Sequence, residues 1–249
     1  MLEEKFREVL TSFYNDLESI QGLELIDIVL YGSAVTGDFT YGKGDIDFLV
    51  FISNEIALEQ VVAVFELHEN YRLSDDMFSQ LEGTYYSITS DYDLRSGIYI
   101  GTSRKGWKTI DANIHGSIEQ GMILSKYSAL KGRIDLIDLF EINHEAIENE
   151  IKTLNLEIAS MSKAVHDIEF QIYGIQTLAR CLYTKETRSF VSKSGAIEYL
   201  DKFNEFSAYK ETLGKIKKLR YPYSKEDLLS LSYDETSRII LGLTDILSR

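Results

Sequence analysis

Cysteine, proline and tryptophan are nearly absent from the 249-residue sequence, which contains one of each. Because Cys181 is alone, the chain forms neither an intramolecular disulfide bond nor a cysteine-cluster metal site. Cys181 lies in the apolar sequence ARCLY, which predicts a buried and unreactive thiol. Pro222 lies in the connector YPYS, where it separates helices rather than breaking one.

Long hydrophobic runs are also missing. No apolar stretch approaches the roughly 20 residues that cross a bilayer as a helix. The first ten residues, MLEEKFREVL, are typical of an amphipathic helix and not of a signal peptide. Apolar residues make up 44% and charged residues 27% of the chain, as in soluble globular proteins. We therefore expect a cytoplasmic protein with no membrane partner.

Basic residues are scarce relative to acidic ones. The chain has 26 Lys and Arg against 40 Asp and Glu, a formal net charge of −14. Nucleic acid would be repelled by such a surface unless a local basic patch were present. The only basic cluster is too small for a polynucleotide track: Lys215, Lys217, Lys218 and Arg220. The charge balance excludes a nucleic-acid partner and favours a small, cationic one.

Residues 25–53, LIDIVLYGSAVTGDFTYGKGDIDFLVFIS, predict two β-strands joined by a polar loop. The first strand, 26–31, ends at Gly32-Ser33. The second begins near Asp45 and continues through the apolar run 48–52. Side chains alternate along a strand, so we expect Asp45 and Asp47 to point to one face while the intervening isoleucine enters the core.

Two carboxylates fixed side by side repel each other unless a cation neutralises them. Hard oxygen ligands of this kind suit Mg²⁺, which completes its coordination with water and substrate phosphates. A glycine allows close approach of the backbone, and the Ser33 hydroxyl and neighbouring N–H groups are phosphate donors. Together, Gly32, Ser33, Asp45 and Asp47 predict a metal–triphosphate site.

Such a site needs a third carboxylate, either as a metal ligand or as the base for an attacking hydroxyl. Glu82, near the start of a predicted strand at 81–88, is one candidate, and Asp111 in KTIDANI is the other. One predicted helix, 55–68, separates the aspartate pair from Glu82, which suits a neighbouring strand. Asp111 precedes a helical pattern and is better explained as a helix-start residue. We therefore favour Glu82.

The pattern changes near residue 145. Before it lie an N-terminal helix at 2–21, the predicted strands, and an unassigned Tyr- and Gly-rich stretch, 89–108, that contains Trp107. After it, only helices are predicted, at 145–162, 164–184, 194–201, 204–219 and 235–248. The predicted fold class is α+β. A mixed sheet with flanking helices occupies 1–145, and an all-α bundle occupies 146–249.

Gly-Ser followed by Asp-x-Asp on the next strand resembles the signature of the DNA-polymerase-β-like nucleotidyltransferases. Within that superfamily, VLYGSAVTG, DIDFLV and Leu81-Glu82 resemble the streptomycin/spectinomycin adenylyltransferases. The second half carries further matches to that family at Thr177, Leu178, Arg180, Thr187, Lys193 and Ala196. The resemblance implies a polymerase-β-like domain followed by a helical bundle.

The resemblance also implies roles for individual residues. Asp45, Asp47 and Glu82 would be catalytic and would bind two Mg²⁺ ions, with Glu82 as the base. Gly32, Ser33, Arg180, Lys193 and Tyr221 would bind ATP, the co-substrate.

Several positions depart from the family pattern. Arg188 stands in place of a glycine, Tyr199 in place of a tryptophan and Gly44 in place of a serine. The residues that hold the aminoglycoside in the family are not reproduced in register. This chain has instead His166, Asp167, Glu169, Phe170 and Tyr173. The nucleotide half of the site thus carries over better than the acceptor half.

The sequence therefore predicts an adenylyltransferase that moves AMP from ATP to a hydroxyl of a small acceptor, with release of pyrophosphate. An aminoglycoside or aminocyclitol is the expected acceptor, bound between the two domains. Two alternatives remain open: transfer to another antibiotic or to a protein side chain, and a non-catalytic nucleotide-binding regulator.

Overall fold

The computed structural model describes residues 2–53, 55–74, 77–88, 94–100, 107–110 and 116–249, with the backbone alone for residues 2, 3, 94–100 and 107–110. The chain divides into two compact units. Unit 1 comprises Met1–His115 and Ile123–Glu141, and unit 2 comprises Gly116–Met122 and Ile142–Arg249. Unit 2 thus includes a short segment that the predicted 1–145 domain contained.

Unit 1 is built on a mixed sheet of six strands in the order β5-β4-β3-β2-β1-β6. β2 and β3 run parallel, and the other neighbouring pairs are antiparallel. The strands are β1 (Leu25–Leu30), β2 (Ile46–Ile52), β3 (Leu81–Ile88), β4 (Leu94–Ile100), β5 (Trp107–Ile110) and β6 (Ser128–Ala129). The helices are α1 (Leu2–Glu18), α2 (Ser33–Thr36) and α3 (Leu58–Arg72).

Strand β2 is the centre of unit 1 because its apolar side chains are covered on both faces. Phe48 and Val50 pack with α1 and α3 on one face, in a core that includes Phe13 and Val64. Leu49 packs on the other face, in a core with side chains from residues 123–140 such as Ile134 and Phe140. A strand covered on both faces needs an apolar run rather than strict alternation, and 48–52 is such a run.

The unassigned stretch 89–108 contains β4 and part of β5, which sequence periodicity did not reveal. A serine and a glycine within LRSGIYI weaken the strand pattern of β4, and β5 is only four residues long. These strands extend the sheet beyond β3, whose bounds agree with the prediction. Trp107 is the first residue of β5, and its side chain lies outside the described part.

His68 of α3 is buried beneath the sheet. Its ring stacks on Phe48 with 5.7 Å between centroids, and Nε2 is 2.8 Å from the hydroxyl of Tyr85. Burial and the nearby Arg72 guanidinium lower the pKa of His68 to about 3. The imidazole is therefore neutral in the folded protein at neutral pH.

We expect this burial to make unit 1 sensitive to acid. In the unfolded chain His68 takes a proton near its ordinary pKa of about 6.5. The contribution of the neutral His68 to the free energy of unfolding is thus fully present above that pH. It falls as the pH drops toward 3, by up to about 1.4 kcal/mol per pH unit. Urea unfolding of wild type and His68→Gln between pH 7 and 5 tests this.

In the variant the amide retains a partner for Tyr85 but does not titrate, so its pH slope should be shallower. The same substitution at the exposed His144 should leave the wild-type slope unchanged. Equal slopes for wild type and His68→Gln would contradict the assignment of acid sensitivity to this residue.

The regular secondary structure of unit 2 is helical in all its described residues. Its helices are α4 (Ser117–Ser125, of which residues through Met122 belong to unit 2), α5 (His144–Ala164), α6 (Ile168–Thr187), α7 (Lys193–Tyr199), α8 (Lys210–Lys218), α9 (Lys225–Leu229) and α10 (Tyr233–Ser248). The predicted 204–219 helix begins instead with a 3₁₀ turn, Asn204–Tyr209, and continues as α8. Another 3₁₀ turn, Leu200–Lys202, precedes it. The predicted fold class, α+β with a C-terminal helical region, is confirmed.

Side-chain caps mark where five helices of unit 2 begin, namely α5, α6, α7, α9 and α10. Asp167 accepts a hydrogen bond from the Glu169 N–H, so α6 begins at Ile168 rather than at residue 164. Ser224 and Asp227 form a capping box that starts α9, a five-residue helix too short for a periodic signal. Short elements of this kind are set by caps and not by hydrophobic spacing.

Cys181 is fully buried on α6, as predicted. Burial raises the pKa of its thiol to about 12, so the reactive thiolate is suppressed at neutral pH. Among the helices of the described segments, none is both long and apolar enough to cross a membrane.

Candidate active site

Asp47 and Glu82 lie at paired positions of the two parallel strands β2 and β3. Paired residues on neighbouring strands project to the same face of the sheet, and the strands are about 4.8 Å apart. Both side chains are half-buried, while Ile46 and Leu81, the residues before them, are buried in the core. The two carboxylates therefore stand side by side at the start of both strands.

Asp45 immediately precedes β2 and is half-buried as well. The burial sequence of Asp45, Ile46 and Asp47 follows the predicted alternation. These residues, with Glu82, form what we call the carboxylate site. It brings Asp45 and Asp47 together with Glu82, which lies 35 positions after Asp47 in the chain.

Gly32 packs directly against the carboxylate of Asp47. A Cβ atom on Gly32 would lie 2.1 Å from Asp47 Oδ2, far inside van der Waals contact. Gly32 also has a φ of 67°, which favours glycine. The Tyr31 N–H donates to the Asp47 carbonyl at 3.1 Å and so holds the end of β1 beside β2 at this point. Gly32 therefore allows close approach to the Asp47 carboxylate, while its approach to a phosphate stays a prediction.

Replacing Gly32 with alanine should displace the Asp47 carboxylate and reduce activity at least tenfold, with a stability loss of about 1–3 kcal/mol. Gly37→Ala is the matched control, because Gly37 has a φ of 90° but open space where its Cβ would be. The control should lose stability through the backbone alone and retain its activity. Equal activity losses in the two variants would contradict a specific contact between Gly32 and Asp47. Turnover and urea unfolding measure the two effects.

Ser33 is the first residue of α2, and its hydroxyl donates to the carbonyl of Asp45 at 3.3 Å. This bond joins the Gly-Ser turn to the aspartate pair, so the two halves of the motif meet in the fold. A phosphate bound by Ser33 would therefore lie beside the carboxylates.

Gln80 positions the loop that leads into the carboxylate site, a role that the sequence did not reveal. Its amide accepts from the Gly42 N–H at 3.1 Å and donates to the Gly44 carbonyl at 2.7 Å. Gln80 lies one position before β3, so the loop is fixed to the strand that carries Glu82. A lone glutamine has no sequence signature for such a role.

The donor set fits a magnesium ion held jointly with a nucleotide. The described residues contain no group of three or more Asp, Glu, His or Cys side chains arranged to enclose a metal ion by themselves. Mg²⁺ is usually held by one or two carboxylates together with substrate phosphates and water, and not by an all-protein cage. The half-buried carboxylates of Asp47 and Asp45 are oxygen ligands of that kind. Asp111, the alternative to Glu82, lies outside the described residues.

The remaining predicted nucleotide-binding residues belong to unit 2. Arg180, on α6, is half-buried, and its Nη1 donates to Met122 Sδ at 3.2 Å, a weak acceptor. Its Nε is buried and has no hydrogen-bond partner among the described residues. A guanidinium so poorly satisfied favours a further, anionic partner. Lys193 is the exposed first residue of α7.

Tyr221 lies in the connector between α8 and α9 and is 49% exposed. Its ring is 5.7 Å from that of Tyr223 in an edge-on arrangement. Burial and the Glu169 carboxylate raise the pKa of Tyr223 to about 12. Glu169 is therefore close to Tyr223.

The other residues considered for the acceptor lie at the start of α6. The ring of His166 packs against that of Tyr233 in a tilted arrangement with 4.6 Å between centroids, and Asp167 serves as the helix cap. Tyr173 is 49% exposed, with its ring 6.2 Å from that of Phe170. Because Asp167 already has a structural role, Glu169 and Tyr173 are the better candidates for contacting a ligand.

Comparison with known proteins agrees with this geometry. A family model described as "nucleotidyltransferase domain" matches residues 10–94, the part of the chain that holds the complete carboxylate site. The enzyme class is thus nucleotidyltransferase, as the sequence predicted. A search of curated proteins finds no match.

The fold that contains this nucleotidyltransferase domain also has a solved counterpart. The fold of this chain is similar to that in the crystal structure of spectinomycin adenyltransferase AAD(9) from Enterococcus faecialis, solved with ATP and spectinomycin. The match has a TM-score of 0.64 and covers 96% of this chain and 100% of that chain, at 15% sequence identity. At this identity the likeness establishes the fold, helical region included.

Proposed function

We propose that the protein transfers AMP from ATP to a hydroxyl of a small acceptor and releases pyrophosphate. The observation that carries this proposal is the pairing of Asp47 with Glu82, beside Gly32, in the nucleotidyltransferase domain. The structural counterpart that was solved with ATP and spectinomycin supports an adenylyl donor and an aminocyclitol or aminoglycoside acceptor. The chain's net charge of −14 supports a cationic acceptor.

Asp45 and Asp47, with Glu82, would hold two magnesium ions. The ions would offset charge on the triphosphate and on the departing pyrophosphate. Ser33 and the backbone after Gly32 would hold the phosphate tail by hydrogen bonds.

Glu82 would accept the proton of the acceptor hydroxyl as that oxygen attacks the α-phosphorus. The new bond joins the acceptor oxygen to phosphorus, and the bond from the α-phosphorus to the bridging oxygen breaks as pyrophosphate departs. Positioning and electrostatics supply nearly all the acceleration in such a transfer. We also assign Arg180, Lys193 and Tyr221 to nucleotide binding. The assignment of Arg180 is supported by its guanidinium, which has few hydrogen-bond partners.

Pyrophosphate release from Mg²⁺-ATP tests the proposal, with streptomycin, spectinomycin and lincomycin as separate acceptors. Release that depends on one of the first two supports transfer to an aminoglycoside or aminocyclitol. Release that depends only on lincomycin would retain the chemistry and overturn the acceptor class. Tight binding of Mg²⁺-ATP without release for any acceptor would overturn the proposal in favour of a nucleotide-binding regulator.

A further inference from the structure

A cavity of about 190 Å³ lies within unit 2, where α5 begins and where α6 and α10 end. None of the residues to which we assign nucleotide binding lines it. Its floor is apolar and is formed by Ile147, Ile151, Phe190 and Leu247. The three aliphatic side chains are buried, and Phe190 is half-buried and packs on the core of the bundle. The floor therefore offers an apolar surface with one aromatic ring.

The rim of this cavity is basic in an otherwise acidic protein. Lys152, Lys185 and Arg188 contribute three positive charges, against one negative charge from Glu148. All four side chains are exposed at the rim. Lys185 donates to the Leu247 carbonyl at 2.8 Å. Within the described residues, neither Lys152 nor Arg188 forms an ion pair within 4 Å.

Arg188 reaches the rim from an unusual backbone conformation. Its φ of 53° is in the left-handed region. Arg188 ends α6 in this conformation, and its N–H donates to the Thr184 carbonyl at 2.9 Å. Among the described residues it is the only one other than glycine with a positive φ. A left-handed conformation costs an arginine about 1–2 kcal/mol that a glycine would not incur. The arginine is thus placed at the cavity at the expense of helix-end stability.

We propose that this cavity binds a small carboxylate with an apolar body, such as one aromatic ring. The body would lie on the apolar floor, and the carboxylate would face the cations of the rim. An engineered apolar cavity of about 150 Å³ accommodates benzene, so this volume suits a single ring with its carboxylate. Inorganic phosphate would leave the floor without a contact. This site does not depend on the proposed transfer reaction.

Fluorine NMR of 4-fluorobenzoate with the whole protein tests the proposal directly. We expect saturable line broadening for this probe, and much weaker broadening for 4-fluorobenzamide, which has the same ring but no charge. Arg188→Gly and Lys152→Gln should each weaken binding about threefold, and the double variant about tenfold. Lys163→Gln, a charge removal at the other end of α5, should leave binding unchanged.

The glycine variant relieves the strained backbone, so a loss of binding there does not reflect unfolding. Equal affinities for 4-fluorobenzoate and 4-fluorobenzamide would overturn the proposal. Wild-type affinity for 4-fluorobenzoate in the double variant would also overturn it. Displacement of the probe by Mg²⁺-ATP would also overturn it, because the cavity would then belong to the nucleotide site. Retained binding in the presence of Mg²⁺-ATP supports a separate site, whether or not the enzyme proves to be an adenylyltransferase.

Discussion

Replacing Asp47 with asparagine should slow acceptor-dependent pyrophosphate release about 1,000-fold or more, the equivalent of roughly 4 kcal/mol. The amide has the same shape but removes the negative charge that would hold the metal against the triphosphate. Asp47 lies between Gly32 and Glu82, so no other described carboxylate occupies its position. Initial rates at saturating Mg²⁺-ATP measure the effect.

The same variant should fold at least as stably as wild type in metal-free buffer, because it relieves repulsion between neighbouring carboxylates. Urea unfolding checks this, and it separates lost chemistry from lost structure. Asp138→Asn makes the same chemical change at an exposed position of unit 1 and should leave the rate unchanged. An Asp47→Asn enzyme that is folded and more than one-tenth as active would contradict a metal-binding role for this residue.

Replacing Glu82 with glutamine should lower turnover about 100- to 10,000-fold, the usual contribution of a general base. Glutamine retains the hydrogen-bonding shape of the side chain but does not take a proton from the acceptor hydroxyl. If Glu82 acts mainly as the base, the affinity for Mg²⁺-ATP should change little. Initial rates at saturating acceptor measure the loss of turnover, and equilibrium binding measures the affinity for Mg²⁺-ATP.

Asp111→Asn is the informative companion to the Glu82 variant, because Asp111 is the other carboxylate that the sequence offers. We expect it to retain wild-type turnover and wild-type affinity for Mg²⁺-ATP. Full activity in Glu82→Gln together with inactivity in Asp111→Asn would reverse the assignment. Loss of Mg²⁺-ATP binding in Glu82→Gln, with wild-type turnover once the nucleotide is saturating, would make Glu82 a metal ligand only.

Much of the carboxylate site could be predicted from the sequence because its components are local. The apolar run after Asp47 predicts a strand covered on both faces, and the strand period then fixes the orientation of Asp45 and Asp47. The pairing with Glu82 followed from a single intervening helix, which suits neighbouring parallel strands. Each of these inferences needs only a short stretch of chain.

Other features depend on contacts that no local pattern records. Asp27 is fully buried within the apolar strand β1, where its carboxylate accepts from the N–H groups of Ile28, Lys131 and Arg133 at 2.7–2.9 Å. Two of these donors are more than 100 positions away in the chain. The role of Gln80 at the carboxylate site was hidden for the same reason, since its partners are on another loop.

The acceptor half of the site was the least predictable. The sequence offered five residues near the start of α6, and the structure divides them by what each already contacts. Asp167 caps the helix and His166 packs against Tyr233, while Glu169 lies near Tyr223 and Tyr173 remains half exposed. Side-chain type alone does not distinguish a helix cap from a ligand contact.

Mass spectrometry of the acceptor after incubation with enzyme, Mg²⁺ and ATP tests the central claim most directly. The account predicts that streptomycin or spectinomycin gains one adenylyl group, that pyrophosphate accumulates in equal amount, and that Glu82→Gln yields neither product. An acceptor that gains a single phosphoryl group, with ADP as the second product, would contradict attack at the α-phosphorus and the account built on it.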